Sequence, residues 1–509
     1  MGQRTTGSAQ DPAHERHDRT RGSAGPHPRG TRRASSIHRR AGDLSQSHNV
    51  AGLCTRIREP RGDLPRRGNR TYPRKIPPAL RRKNEGNRDR IAHPMSLFSP
   101  IHHTFAPHVD LRFWWKRSLL ALSPWHWKRG KALNRMKEEM TRRFDAPCVL
   151  FSSGREALCA LLRSMKLAAG EEVIIQGYTC VAVPNAIHTA GGVPVFVDID
   201  PTTLNLDPTK VETAISHRTR AVICQHTFAI PGPLKELRAL CAKHGIALIE
   251  DCAHVLPDET GPQGVARMGD AAFFSFGRDK AATGIIGGAA IVRDPTLLER
   301  MREEEDRAVD IDTWTIARLL LYPCFYLIAR PLYGLGLGKA FLFAAKKLHL
   351  LVPILTQGEK KGTMSPVLKR MPNVCAALAL FQLSRHRSVN DHRRALTRIY
   401  LSAAREHQWK IPAAMNGDLP MQKFPLFIEN PETLREELKH RNIHLHDGWT
   451  QAVICPRSVD QSAMNYRPGS CPKAEEVARN VLTLPTHPTM SVRQADSLVR
   501  ELTKALNTR

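Results

Sequence analysis

The chain has 509 residues, 41% of them hydrophobic and 24% charged, which suits a soluble globular protein of two or three domains. The formal net charge of +28 is unusual, but residues 1–94 alone hold 22 Lys and Arg against 8 Asp and Glu, half of the excess. Eleven cysteines form no C-x-x-C pair and mostly sit in apolar runs, which argues against a zinc site or disulfide framework and for free thiols in a reducing compartment.

Residues 1–94 are rich in Arg, Pro, Gly and Ser ("RGSAGPHPRGTRRASSIHRR") and show no sustained apolar periodicity, so they are expected to be disordered. Three readings stand for this stretch. It is a basic arm for nucleic acid or an anionic membrane, a transit peptide, or, as the simplest expectation, non-functional sequence upstream of a true start at Met95. No specific nucleic-acid partner is expected. No pattern of charged, apolar and cleavage regions marks a secretory signal, so the expected location is the cytoplasm.

Residues 95–313 are expected to form a large domain with a helical lead-in. "ALNRMKEEMTRRF" reads as an amphipathic helix, followed by the strand "PCVLFSS" and the helix "REALCALLRSM". "EEVIIQ", "VPVFVDI", "RAVICQH", "IALIEDC" and "AAFFSF" are further strand-like runs with helical stretches between them. This alternation predicts an α/β fold, a mostly parallel sheet between helices, with ligands at the carboxyl ends of the strands.

Residues 314–364 interrupt that scheme with an apolar and basic insertion. Leu319–Ala329 is an uncharged run that contains Pro323, too short for the roughly 20 apolar residues of a bilayer span. Arg318, Arg330, Lys339, Lys346 and Lys347 bracket the apolar runs. Residues 314–355 therefore suit a hairpin in a membrane interface, peripheral to the bilayer, or an extra helical pair on the body or on a partner subunit. "GLGLGK" within it lacks phosphate-loop spacing. Residues 365–509 read as a linking helix and a smaller C-terminal α/β domain.

The chemistry gathers at strand ends. "FSSGREAL" places Ser152, Ser153, Gly154 and Arg155 at a strand-to-helix turn suited to phosphate. "IEDCAH" ends a strand with Asp251 and His254, and "FSFGRDK" ends the next with Ser275 and Lys280. Taken alone, such an aspartate is most often a helix cap and such a lysine a solvated loop residue. Together, a phosphate turn, a strand-end carboxylate and a lone lysine match what pyridoxal 5'-phosphate demands. The lysine amine attaches the aldehyde, and the carboxylate keeps the ring nitrogen protonated. No metal is expected.

The stretch from "SSGREALCALLRSM" to "DPTKVETAI", with "HGIALIEDCAH", "GDAAFFSFGRDK", "KRMPNVCAALALFQL" and "CPKAEEVARNVLTLPTHP", resembles the DegT/DnrJ/EryC1/StrS family of sugar aminotransferases. The resemblance covers about residues 130–300 and 365–509. It implies a fold-type I architecture, pyridoxal phosphate, and a homodimer with sites at the subunit interface. The implied reaction moves an amino group, usually from glutamate, to a nucleotide-linked keto-sugar; the interfacial segment 314–355 suggests a membrane-proximal sugar pathway such as surface polysaccharide assembly. By position, Lys280 matches the covalent lysine, Asp251 the ring-nitrogen partner, His254 the residue beside the ring and Ser275 the phosphate serine. Ser153 and Gly154-Arg155-Glu156 match the phosphate turn, where the family usually shows Gly-Thr-Ala. The ring-stacking aromatic aligns with Cys180, and Tyr178 is the nearest replacement. An asparagine that reaches across the dimer aligns with Leu368. Arg155 and Arg278 are extra cations that would replace lost phosphate contacts. These departures mark a divergent branch. Two rivals remain: an enzyme of the same fold and cofactor on a non-sugar substrate, and a non-catalytic, membrane-associated binding protein.

Overall fold

Successive side chains of a strand point to opposite faces, and the strands of this chain are apolar at both, so their sheet must be covered twice. The computed structural model describes residues 98–103, 106–258 and 264–508; the basic segment 1–94 and Met95 lie outside the described residues. Seven strands form the main sheet: β1 (Cys148–Phe151), β2 (Glu172–Gln176), β3 (Val193–Val197), β4 (Thr219–Gln225), β5 (Ala247–Asp251), β6 (Ala271–Ser275) and β7 (Gly288–Val292). Their spatial order is β1-β7-β6-β5-β4-β2-β3. Six run parallel, and β7 is antiparallel to both β6 and β1.

The alternation is visible in the packing. Cys148 and Leu150 of β1, Val222 and Cys224 of β4, and Ala272 and Phe274 of β6 join one buried core. Their neighbours Val149, Phe151, Ala221, Ile223, Ala271 and Phe273 join the core on the other face. On the face toward helix Gly154–Ser164, β7 presents Gly288, Ala290 and Val292, and its small residues let the helix approach closely. A Cβ on Gly288 would stand 2.2 Å from the backbone of Ser153.

A third core lies toward the C-terminus. There the antiparallel strands β8 (Lys423–Phe427) and β9 (Val481–Pro485) pack with helices His386–Glu406 and Val492–Asn507. Two links tie this part to the main sheet region and to the lead-in. Thr179–Cys180 pairs in parallel with Ile454–Cys455, and Ile101–His102 with Ile443–His444.

The inserted segment contains two longer helices, Thr313–Ala329 and Leu337–Lys347, and the short helix Gln357–Lys360. Asp312 caps the first through Thr315 N–H at 2.8 Å. Among the described residues, no helix is long and apolar enough to cross a membrane.

Candidate active site

Parallel strands deliver their carboxyl ends to one edge of the sheet, and β7 begins at that same edge because it runs the other way. The edge therefore collects Ser153 after β1, Tyr178 after β2, Phe228 after β4, Asp251 and His254 at and after β5, and Ser275 and Lys280 at and after β6. Asp251 lies in register with Phe273 of β6 and Gln225 of β4.

The phosphate-type turn is built by close approach. Ser153 is the extended N-cap of helix Gly154–Ser164, and its hydroxyl accepts from Glu156 N–H at 3.3 Å. A Cβ on Gly154 would lie 2.8 Å from that of Ser275, so only glycine brings the helix start against that serine. Ser275 Oγ and Lys280 Cγ lie 3.6 and 3.5 Å from where Gly277 would carry a Cβ. Free N–H groups at a helix start and a nearby serine hydroxyl together make an anion seat.

Burial raises the pKa of Asp251, while the Ala253 N–H (2.9 Å) and the charge of Lys280 pull it back only partly. Among the described residues, neither Asp251 nor Lys280 has an ion-pair partner. His254 is pushed well down by burial and then by Lys280, so it is neutral. Its Nδ1 accepts from Phe228 N–H at 3.3 Å, and its ring stacks on Phe228 at 5.7 Å and 14°. Phe228 holds φ +54°, a left-handed conformation that an aromatic residue rarely adopts.

Residues distant in sequence complete the site. The Trp449 ring stands 4.9 Å from His254 and 5.2 Å from Phe228. Asp447 Oδ1 accepts from Trp449 N–H at 3.0 Å, and Asp447 Oδ2 lies 3.2 Å from Lys423 Nζ, both groups buried. Burial alone would raise Asp447, but Lys423 and His103 together hold it far below the ordinary carboxylate range. His108 Nε2 donates to the Lys280 carbonyl at 2.7 Å; burial and Arg393 bring that histidine down to about 3, so it donates as a neutral ring.

Tyr178 is fully buried, with its hydroxyl donating to Trp449 C=O at 3.1 Å, and its ring packs edgewise on Phe228 and Trp449. It buttresses the aromatic group around His254. Cys180 is half-buried and sits directly beside Cys455 across the short parallel pairing. Leu368 is buried in the core behind the sheet, and Arg370 spends its guanidinium on the carbonyls of Glu305 and Asp306. Both extra cations contact the insertion or its flank. Arg155 pairs with Glu359 and donates to Ile354 C=O at 2.7 Å; Arg278 lies 4.3 Å over the Tyr322 ring. Glu156 bonds Ser152 Oγ, and burial lifts it to about 7 against that bond and Arg155.

His226, Glu250 and Cys252 also cluster. The Glu250 carboxylate already accepts from Ala266, Met268 and Gly269 N–H groups at 2.6–2.9 Å and from His226. It braces the end of β5 from behind and leaves no lone pairs for a metal ion.

Trp449, Phe228 and His108 escape the sequence reading. Phe228 carries a usable signal, since it follows β4 at the same sheet edge, but Trp449 and His108 arrive by tertiary packing alone. The residues present fit pyridoxal phosphate on its chemistry: an anion seat at 153–156 and Ser275, a buried carboxylate without a counter-cation, and an amine near it.

Comparison with known proteins agrees. A family model described as the DegT/DnrJ/EryC1/StrS aminotransferase family matches residues 120–315 and 355–503, leaving out most of the insertion. An "L-glutamine:2-deoxy-scyllo-inosose aminotransferase" of Streptomyces kanamyceticus is 42% identical over 156 residues, 31% of this chain and 36% of that protein. A "UDP-N-acetyl-3-dehydro-alpha-D-glucosamine 3-aminotranferase" of Acidithiobacillus ferrooxidans is 35% identical over 153 residues, 30% of this chain and 41% of that one. The matched stretch thus spans well under half of either relative. Among solved structures, NtdA from Bacillus subtilis, with bound cofactor PMP, superposes with a TM-score of 0.63 at 17% identity, over 83% of this chain and 87% of that one, a likeness of fold.

Proposed function

This chain belongs to the DegT/DnrJ/EryC1/StrS aminotransferase family, and from that premise we propose that it is a pyridoxal-phosphate-dependent aminotransferase acting on a keto-sugar. The observation that carries the reading is that Asp251 ends β5 beside β6, and that the charge of Lys280, in the turn after β6, acts on its buried carboxyl although the two form no ion pair among the described residues. When bound, the cofactor supplies an electron sink that makes the Cα proton of an amino donor acidic. Lys280 would hold it through Nζ, and the same amine would serve as the general base that moves that proton. Asp251 would hold a proton on the ring nitrogen through its buried carboxyl, whose pKa burial raises. Ser153, Ser275 and the start of helix Gly154–Ser164 bind phosphate, and the Phe228–His254–Trp449 group orients the ring and excludes water from one side.

The acceptor follows from the relatives' names. A nucleotide-linked keto-sugar fits the Acidithiobacillus relative; a free keto-cyclitol fits the Streptomyces one, which is also named for glutamine as donor. Glutamate as donor, a homodimer, a place in polysaccharide assembly and a cytoplasmic location complete the proposal. The deciding experiment follows the bound-cofactor visible band. Glutamate or glutamine should bleach it, and a nucleotide keto-sugar or a keto-cyclitol should restore it. A purified protein that takes up no cofactor, or whose band no amino donor bleaches, rejects this reading in favour of a non-catalytic scaffold.

A further inference from the structure

Helix Leu111–Ala121 faces the wrong way for a purely packed element. Its inward side rests on Phe113 and on Arg117, whose Nε donates to the Leu320 carbonyl of the insertion. Leu111, Trp115, Leu119 and Leu122 recur at helical spacing on the outward side and are 60–74% exposed. Trp125 continues the apolar surface. The inserted helix Thr313–Ala329, joined to this one through Arg117, repeats the pattern. Trp314, Leu321 and Ile328 lie exposed at intervals of seven, and Leu337 and Phe343 follow on the next helix.

Charge identifies what covers these residues. Between Asp110 and Glu138 the sequence holds 8 Lys and Arg and no acid; between Asp312 and Glu359 it holds 5 and no acid. Some of these cations already have acidic partners, Arg129 in Asp310 and Lys137 in Glu305. Arg112, Lys116, Lys339, Lys346 and Lys347 are exposed beside the apolar side chains. A second copy of the chain docked here would bring a surface of the same basic excess, whose nearest acids in sequence are Asp110, Asp310 and Asp312 at its margins. An anionic bilayer offers both partners at once: an apolar boundary for Trp and Leu, and negative headgroups for Lys and Arg.

We propose that helix 111–121, the turn at 124–126 and the inserted helices 313–347 form one composite face that docks on a bilayer carrying anionic lipid. The face lies on the membrane rather than crossing it, since no described helix is long and apolar enough to span. It stands apart from the catalytic reading, which can fail without it.

The test is sedimentation of the full chain with phosphatidylcholine vesicles, with and without phosphatidylglycerol. The chain should pellet with the phosphatidylglycerol vesicles only, less so in added salt, and its tryptophan emission should shift to shorter wavelength as Trp115, Trp125 and Trp314 leave water. Lys346→Glu with Lys347→Glu should weaken binding on the order of tenfold or more. Trp115→Ser with Leu119→Ser, at exposed positions that leave the melting temperature unchanged, should weaken it similarly. Failure to pellet with phosphatidylglycerol vesicles overturns the proposal. So does pelleting that both double variants leave unchanged, which would assign it to the basic residues 1–94. A sedimentation mass that halves in the Trp115/Leu119 variant without vesicle binding would make the face a self-association surface, and also overturns it.

Discussion

The guanidinium of Arg278 lies over the ring of Tyr322, 4.3 Å from its centroid. The turn that carries Lys280 is thus braced by the inserted helix. Burial lowers the Arg278 pKa, and Tyr322 and Tyr326 partly offset that, so the contact is made largely out of water. Tyr322→Phe keeps the ring and should change the melting temperature little. Tyr322→Ala removes both the cation–π contact and buried area, and should destabilise by about 3 kcal/mol. Thermal unfolding of the two variants gives the comparison, and faster cofactor loss on dialysis should accompany the second.

Lys280→Ala should abolish the visible absorbance of lysine-bound cofactor while leaving the circular dichroism unchanged. The ammonium has no ion-pair partner among the described residues. Persistence of the band would move the covalent role to another lysine.

Asp251→Asn removes a carboxylate that burial already disfavours. Stability should hold or rise slightly, while turnover falls at least about 10²-fold because the ring nitrogen loses its counter-charge. Steady-state rates beside a melting curve separate the two effects.

Glu156 gives a pH signature. Its ordinary value is 4.5, and burial holds it up at about 7 in the fold. Between those values the folded chain keeps a proton that the unfolded chain has released. The stability this confers is full below about 4.5 and declines as pH rises to about 7. The melting temperature of cofactor-free protein should slope downward across that window, and Glu156→Gln should flatten the slope.

Arg155 and Glu359 form a mostly enclosed ion pair, with side chains 19% and 9% exposed. Removing either partner strands the other. Arg155→Ala and Glu359→Ala should each destabilise by about 2–4 kcal/mol, and the double variant by clearly less than the sum. A double-mutant cycle in denaturant measures the coupling.

Much of this molecule is legible in order along the chain. The strands announce themselves as short apolar runs; Asp251 and Ser275 end two of them, and Lys280 follows in the turn after the second. What is not legible depends on contacts that sequence proximity does not encode. Arg155 and Arg278 read as spare cations beside a phosphate, yet they meet Glu359 and Tyr322, more than 40 and up to 204 positions away. Tyr178 reads as a ring near the cofactor, yet its hydroxyl is committed to Trp449, 271 positions on. Helical periodicity locates the insertion's helices but not the outward turn of Leu111, Trp115 and Leu119, because an exposed apolar stripe and a buried one have the same period.

The reversed direction of β7 also bears on the order in which the site is assembled. Antiparallel neighbours need no crossover helix, so β6 and β7 pair across a single loop, with Ser275 opposite Gly288. The lysine hairpin is therefore a contact of low sequence separation, with little loop-closure entropy to overcome. The phosphate turn reaches the same hairpin only when Phe151 finds Gly288, 137 residues on. In a folding chain the lysine's local frame can close first, and the anion seat is then added to it by the slowest pairing in the sheet.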